Sequence, residues 1–338
     1  MLSFFPFFAT CENKLWFEKF ASTRFESRYA WNGRYLSFTV DTWYWIDNCL
    51  FKNIQPYGAV RFTNTISTMC MLLSDTVFHS CFSNDDNFAG GSFYWREEGQ
   101  FAEYGVCYYN SYSSKNGQVF GITVSKSKYA TNHHNMSTFS QIGRGVDSGN
   151  FLAGIASGEI IFINNNMSFC YNQEHAGINS ANVLYDSLWK QSQFKNFSSS
   201  NILFNPGQSN QQRTHNAILC NFMYCKGNSL FQSDTKYLNI VSCIIKDNKV
   251  RTLIGVRSDY IVNVNDTYSS SNFPSNAVVE NPRVESEELT LSLLDFTVCD
   301  RTPYYQDSLK LEKVSRKAIG AALAQIPSMA SSREGSYI

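Results

Sequence analysis

The chain has 338 residues, 43% of them hydrophobic and 17% charged, with 28 basic residues against 28 acidic ones. With no surplus of Lys or Arg to neutralise phosphates, the composition excludes a nucleic-acid-binding protein. In place of charge stand 32 Asn, 42 Ser, 27 Phe and 19 Tyr, which excludes ordinary disorder and suits many short strands joined by tight corners.

Residues 1–30 open on MLSFFPFFA, which is apolar but has no basic leading region and contains Pro6. It reads as an N-terminal cap over a first layer of core rather than as a signal peptide. No apolar stretch approaches the roughly 18 residues of a membrane-spanning helix, so no transmembrane segment is expected.

From residue 31 to 271 the sequence repeats with irregular length. Large apolar anchors recur at Phe51, Phe78, Tyr108, Phe139, Phe169, Phe194, Phe222, Ile245 and Tyr268, at spacings of 23 to 31 residues. The position two before each anchor is mostly small, the position two after is mostly polar and often Asn, and the position three after is often apolar. Anchor and minus-two share parity and so one face of a strand; plus-three has the opposite parity, so a corner lies between. Asn suits that corner because it tolerates left-handed backbone angles, and Asn on Asn in adjacent layers can form a ladder.

Between anchors, short apolar runs open on small residues: GAVRF (58–62), GGSFYW (90–95), GQVFGITV (117–124), SGEIIFI (157–163) and SANVLY (180–185). Layers of this length with two or three short strands predict an all-β parallel solenoid, in which each layer buries its inner face only by stacking on its neighbours. About nine layers span roughly 40 Å at the usual strand spacing. The rival antiparallel sandwich would need hairpin turns every 8 to 12 residues, yet Asn-Gly occurs only at 32–33 and 116–117.

The segments NCLFKNI, VFHSCFSN, INNNMSFCYN, FKNFSSSN and CIIKDN resemble the coils of right-handed single-stranded parallel β-helix proteins of the pectin-lyase-like superfamily. More narrowly they are similar to the Asn-, Ser- and Cys-rich β-helix families of flagellated protozoan parasites, themselves similar to bacterial polymorphic outer-membrane adhesins. The resemblance covers about residues 43–271. It implies a right-handed coil, a cell-surface or secreted location, and a non-enzymatic role in recognition or adhesion toward an extended glycan or a cell-surface protein. Such families commonly carry a C-terminal membrane anchor, for which this sequence shows no spanning segment. Alternatives on the same fold are a polysaccharide lyase or hydrolase, and an intracellular scaffold or truncated paralogue.

Residues 272–305 carry prolines and an acidic cluster and read as a linker or last-layer exit. Residues 306–325 hold the one good helical stretch, with Leu309, Val314, Ala318, Ile319 and Leu323 near helical spacing; it reads as a cap on the open end or as a partner-binding tail. Residues 326–338 read as a disordered tail.

Chemical motifs are sparse. Asp85 and Asp86 form the densest acidic spot and read as a solvated turn, not the facing carboxylates of a glycosidase. Arg144 with Asp147 and Arg257 with Asp259 are isolated pairs. His133 and His134 lie in TNHHN, read as a polar loop, and Cys220 and Cys225 with His215 lack a second pair for zinc. No catalytic residue, metal or cofactor is expected, and the ten cysteines read as buried thiols. The aromatic runs offer a ligand platform at Trp43, Trp45, Tyr94 and Trp95, because alternate residues of a strand must face outward. Sequons place N-glycosylation at Asn135, Asn166, Asn196 and Asn265, in support of a secretory route.

Overall fold

The computed structural model describes strands at 24–26, 30–32 and 36–38 and then residues 43–289, apart from short segments at 48, 64, 85–89, 97, 115–116, 128, 144–150, 173–176, 182–183, 209–212, 235, 257–259, 285 and 288. The chain divides into two units, Met1–Phe296 and Thr297–Ile338. The second unit, including the helix expected at 306–325 and the tail, lies outside the described residues, as do residues 1–23.

The described part of the first unit is an all-β parallel solenoid. Its strands line up in three long sheets of 11, 11 and 10 strands, and the chain visits the sheets in rotation. One turn illustrates the rule: Gln100–Tyr104 lies in the first sheet, Cys107–Tyr109 in the second and Phe120–Thr123 in the third. Each pairs in parallel with the equivalent strand of the turn before, namely Cys70–Ser74, Val77–His79 and, through Phe93–Trp95, the third sheet. The body is a run of about seven turns from Cys70 to Val256 rather than nine full layers. Outside it the same ladders continue from Arg24–Glu26 to Ala277–Glu280, but among the described residues no third-sheet strand follows Lys249–Val256.

The anchor column is the inward row of the second sheet. Phe51, Phe78, Tyr108, Phe139, Met167, Phe194, Phe222 and Ile245 are direct register partners down the stack. Their rings lie face to face: Phe51 on Phe78 at 4.9 Å, Phe78 on Tyr108 at 5.1 Å, Tyr108 on Phe139 at 4.9 Å and Phe194 on Phe222 at 4.8 Å. The strand spacing of about 4.8 Å imposes that separation, so identical ring orientations repeat turn by turn. Two anchors shift from their expected places. Met167 holds the position assigned to Phe169, and Ser269 the one assigned to Tyr268, paired with Ile245. Phe169 lies two residues beyond Met167, at the corner, and is 62% exposed.

Both ends of every second-sheet strand from Val77–His79 to Ile244–Lys246 are left-handed corners. Before them stand Asp75, Gly105, Met136, Asn164, Gln191, Leu219 and Ser242, and after them Ser80, Asn110, Gln141, Phe169, Asn196, Tyr224 and Asp247, all with φ between 42° and 65°. The small residues inside the first corner accept a backbone N–H from the turn below. Thr76 Oγ1 takes Cys49 N–H at 3.5 Å, Asn165 Oδ1 takes Ser137 N–H at 2.7 Å, Ser192 Oγ takes Asn165 N–H at 3.1 Å, and Thr267 Oγ1 takes Cys243 N–H at 3.1 Å. Inside the second corner the thiols of Cys81, Cys170 and Cys225 donate to the carbonyls of Phe51, Phe139 and Phe194. Small hydroxyl, amide and thiol side chains recur here because each corner exposes backbone groups that no strand partner satisfies.

The strands of the first sheet correct one expectation and place a second predicted strand. TNHHN is not a loop but the strand Thr131–Asn135, with Asn132 and His134 pointing into the core. SGEIIFI belongs to this sheet as Glu159–Ile163, because the positive φ of Ser157 and Gly158 turns the chain out of the third-sheet strand Ala153–Ala156. GAVRF, GGSFYW and GQVFGITV do supply third-sheet strands. The Asn ladder forms outside the first sheet, where Asn263 donates to Asn239 and Asn239 to Asn216, both at 2.9 Å.

Candidate functional site

Inside the solenoid the first sheet carries two polar clusters. Glu103 and His134, register partners on adjacent turns, approach to 2.9 Å between Oε1 and Nδ1, and neither side chain is reached by solvent. Tyr108 donates its hydroxyl to Glu103 Oε2 at 2.6 Å, while His134 Nε2 meets Asn132 Oδ1 at 3.2 Å. The Asn132 amide donates to the carbonyls of Ala156 and Ser157, which closes the network. Burial first, then the Glu103 carboxylate, holds the Tyr108 phenol well above its ordinary range. Further along, His215 Nδ1 meets Ser187 Oγ at 2.7 Å, and burial lowers the imidazole to about 3. Both groupings use residue types of acid–base catalysis, but they face the packed interior, where no substrate can be bound.

A second constellation lies outside the first sheet. Trp45 Nε1 donates to Ser74 Oγ at 2.7 Å, and Ser74 in turn donates to Asp47 Oδ1 at 2.5 Å. Asp75 follows at the corner, its carboxyl pushed up to about 6 by partial desolvation and then by the charge of Asp47. Asp75 is exposed to solvent, which screens part of that effect.

The third constellation is the corner ridge after the second sheet. Phe169, Asn196 and Tyr224 stand on successive turns, each bonded through its N–H to the next turn: Phe169 to Lys195 O, Asn196 to Met223 O and Tyr224 to Lys246 O. Phe169 is 62% and Tyr224 44% exposed, and the Lys195 ammonium lies 5.7 Å from the Tyr224 ring centre. Left-handed backbone is unfavourable for bulky side chains by about 1–2 kcal/mol, yet Phe and Tyr occupy it here with φ of 54° and 55°. Two turns of strand spacing place the two rings roughly 10 Å apart along the axis.

No family model, curated protein or solved structure matches this chain. Assignment of a site therefore rests on geometry.

Of the four aromatic residues expected as a ligand platform, the three with described side chains are buried or half-buried. Trp95 is fully buried in the core with Nε1 donating to Glu98 O at 2.7 Å, Tyr94 is buried, and Trp45 is half-buried against Ser74. The side chain of Trp43 lies outside the described residues. Among the sequons, Asn166 is buried, whereas Asn135, Asn196 and Asn265 are partly exposed at or beside corners. Cys220 and Cys225 fall on opposite flanks of Phe222, and no group of metal-binding side chains forms among the described residues. Seven cysteines are free and buried, with Cys81, Cys170 and Cys225 pushed up to about 12 by burial. Cys107 is disulfide-bonded. Asp85, Asp86, Arg144, Asp147, Arg257 and Asp259 lie outside the described residues.

Sequence reasoning missed the ridge and both interior clusters. The signal for the ridge was present in the plus-two column, where Tyr224 interrupts a run of Asn, Ser, Gln and Asp.

Proposed function

We propose that this chain is a non-enzymatic, surface-associated recognition protein that binds an extended glycan along the corner after the second sheet. The observation that carries the reading is the pair Phe169 and Tyr224, two exposed rings kept in a backbone conformation that disfavours them. Exposed aromatic faces stack on the apolar faces of sugar rings, and Asn196 between them supplies both an amide donor and an acceptor. The disulfide at Cys107 fits an oxidising compartment, and the buried free thiols are held in a form that resists oxidation there. On this reading the coils belong with the right-handed pectin-lyase-like β-helices, and among them with the Asn-, Ser- and Cys-rich surface families of protozoan parasites. The experiment is a glycan array probed with the intact chain and with Phe169→Ala and Tyr224→Ala. Loss of a bound class in both variants supports the ridge; retention in both, or binding only to proteins, overturns it.

One observation favours the enzyme reading, the Asp47–Asp75 pair beside Trp45. Asp75, pushed up to about 6 by desolvation and then by the charge of Asp47, is a carboxyl that holds its proton as the acid of a polysaccharide-cleaving enzyme must. Release of reducing ends or unsaturated products from acidic and neutral polysaccharides, abolished by Asp75→Asn, would establish it in place of a pure binder.

A further inference from the structure

The outer face of the second sheet should meet solvent, since its inward row already fills the core. It does not. Asn166, Gln193, Asn221 and Ile244 point away from the core and are at most 4% exposed. At one end the cover is visible. Asn221 grips the backbone of Leu289 from both sides, its Nδ2 donating to Leu289 O at 3.0 Å and its Oδ1 accepting Leu289 N–H at 3.2 Å. One turn further along the axis, Lys246 Nζ donates to Ser286 O at 3.3 Å. The chain after Ser286 thus runs across the turns, from that of Lys246 to that of Asn221. Beyond Asn221 the next outward side chains in the column are Gln193 and then Asn166. Asn166 Oδ1 is buried and has no hydrogen-bond partner, a state that calls for a donor arriving from outside the sheet.

We propose that the outer face of the second sheet is a peptide-binding groove whose occupant is the chain's own segment 290–296. The groove reads main chain rather than side chains: an Asn or Gln amide offers the same donor and acceptor pair as a peptide group, so a column of them can hold an extended strand crosswise. The sequence of the occupant is TLSLLDF, which continues from Leu289 with alternating apolar and polar residues through Leu293. Two further turns are about 10 Å away, and seven extended residues reach roughly 23 Å, so the segment is long enough to bring an N–H to Asn166.

Hydrogen exchange on the full chain tests the assignment, resolved to peptides over 286–296. Slowing of the 290–296 amides by on the order of tenfold or more against an unstructured peptide is expected, together with loss of that slowing in Asn221→Leu. A second readout uses Asn166→Cys and residue-resolved maleimide labelling of the intact chain. Labelling should be slow, and should accelerate by on the order of tenfold when Asn221→Leu is added. Exchange of 290–296 at free-peptide rates, or slow labelling at 166 that Asn221→Leu leaves unchanged, overturns the assignment. Slow exchange in a dimer, lost on dilution to monomer, overturns it too, since the occupant would then be a second copy.

Discussion

Glu103 and His134 meet at 2.9 Å across two adjacent turns, in the middle of a core otherwise built from aromatic rings. His134 is flanked by Phe120 at 5.2 Å, Phe101 at 5.5 Å and Phe162 at 5.7 Å, so neither partner has water to turn to if the other is removed. A pair in this setting adds little over well-packed apolar residues, but breaking it is costly.

His134→Phe should therefore destabilise the chain by about 3–5 kcal/mol, because Glu103 is left buried with only Tyr108 as partner. The double variant Glu103→Leu/His134→Phe should recover much of that loss. Urea melts of the single and double variants check it, and equal losses in both would count against a mutual dependence.

The pH response follows from His215. Its imidazole is neutral in the fold, lowered to about 3 by burial, whereas the unfolded chain takes up a proton near the ordinary value of 6.5. Below that value the unfolded state binds more protons than the native one, so stability is full above about pH 6.5 and falls as pH drops toward 3, by about 1.4 kcal/mol per unit. Asp75, raised to about 6 in the fold, acts with the opposite sign over part of this window, so the difference in unfolding free energy between the native sequence and His215→Leu, measured from pH 7.5 down to 4.5, is what should follow this slope.

The thiols should be inert in the native state. Cys81, Cys170 and Cys225, held near 12, carry almost no thiolate at pH 8 and have no exposed surface. Iodoacetamide should modify these three only after denaturant is added. Rapid native labelling of any of them would contradict the packing of the second corner.

At the ridge, function and stability should pull apart. Phe169→Asn and Tyr224→Asn place a residue tolerant of left-handed backbone at each corner and should raise stability by about 1 kcal/mol apiece. Glycan binding should fall in the same variants. Destabilisation by both would mean that the rings are there for packing.

The stacking axis was legible in the sequence because the second sheet obeys a strict column rule: Phe51, Phe78, Tyr108 and Phe139 are spaced by whole turns and flanked by small and polar residues. The first sheet was far less legible. Its inward row includes Glu103, His134, Asn132 and His215, polar residues whose partners come from other turns, so period-two alternation vanishes from a string such as TNHHN. Phe169 misled for the opposite reason, being an apolar residue in a solvent position next to an inward Met167. Trp95 looked available for binding because a three-residue strand, Phe93–Trp95, gives no clue which parity faces inward, and in fact it buries all three residues.

Between the first and second sheets, the corner N–H groups of Cys49, Ser137, Asn165 and Cys243 are received by side chains of the following turn. At these corners a turn is completed by its successor, and the same device recurs along the stack. Whole turns can then be added or removed without rewriting the corners on either side, so the length of this molecule behaves as a ruler with a graduation of one strand spacing. Any ligand laid along its ridge is measured in those units.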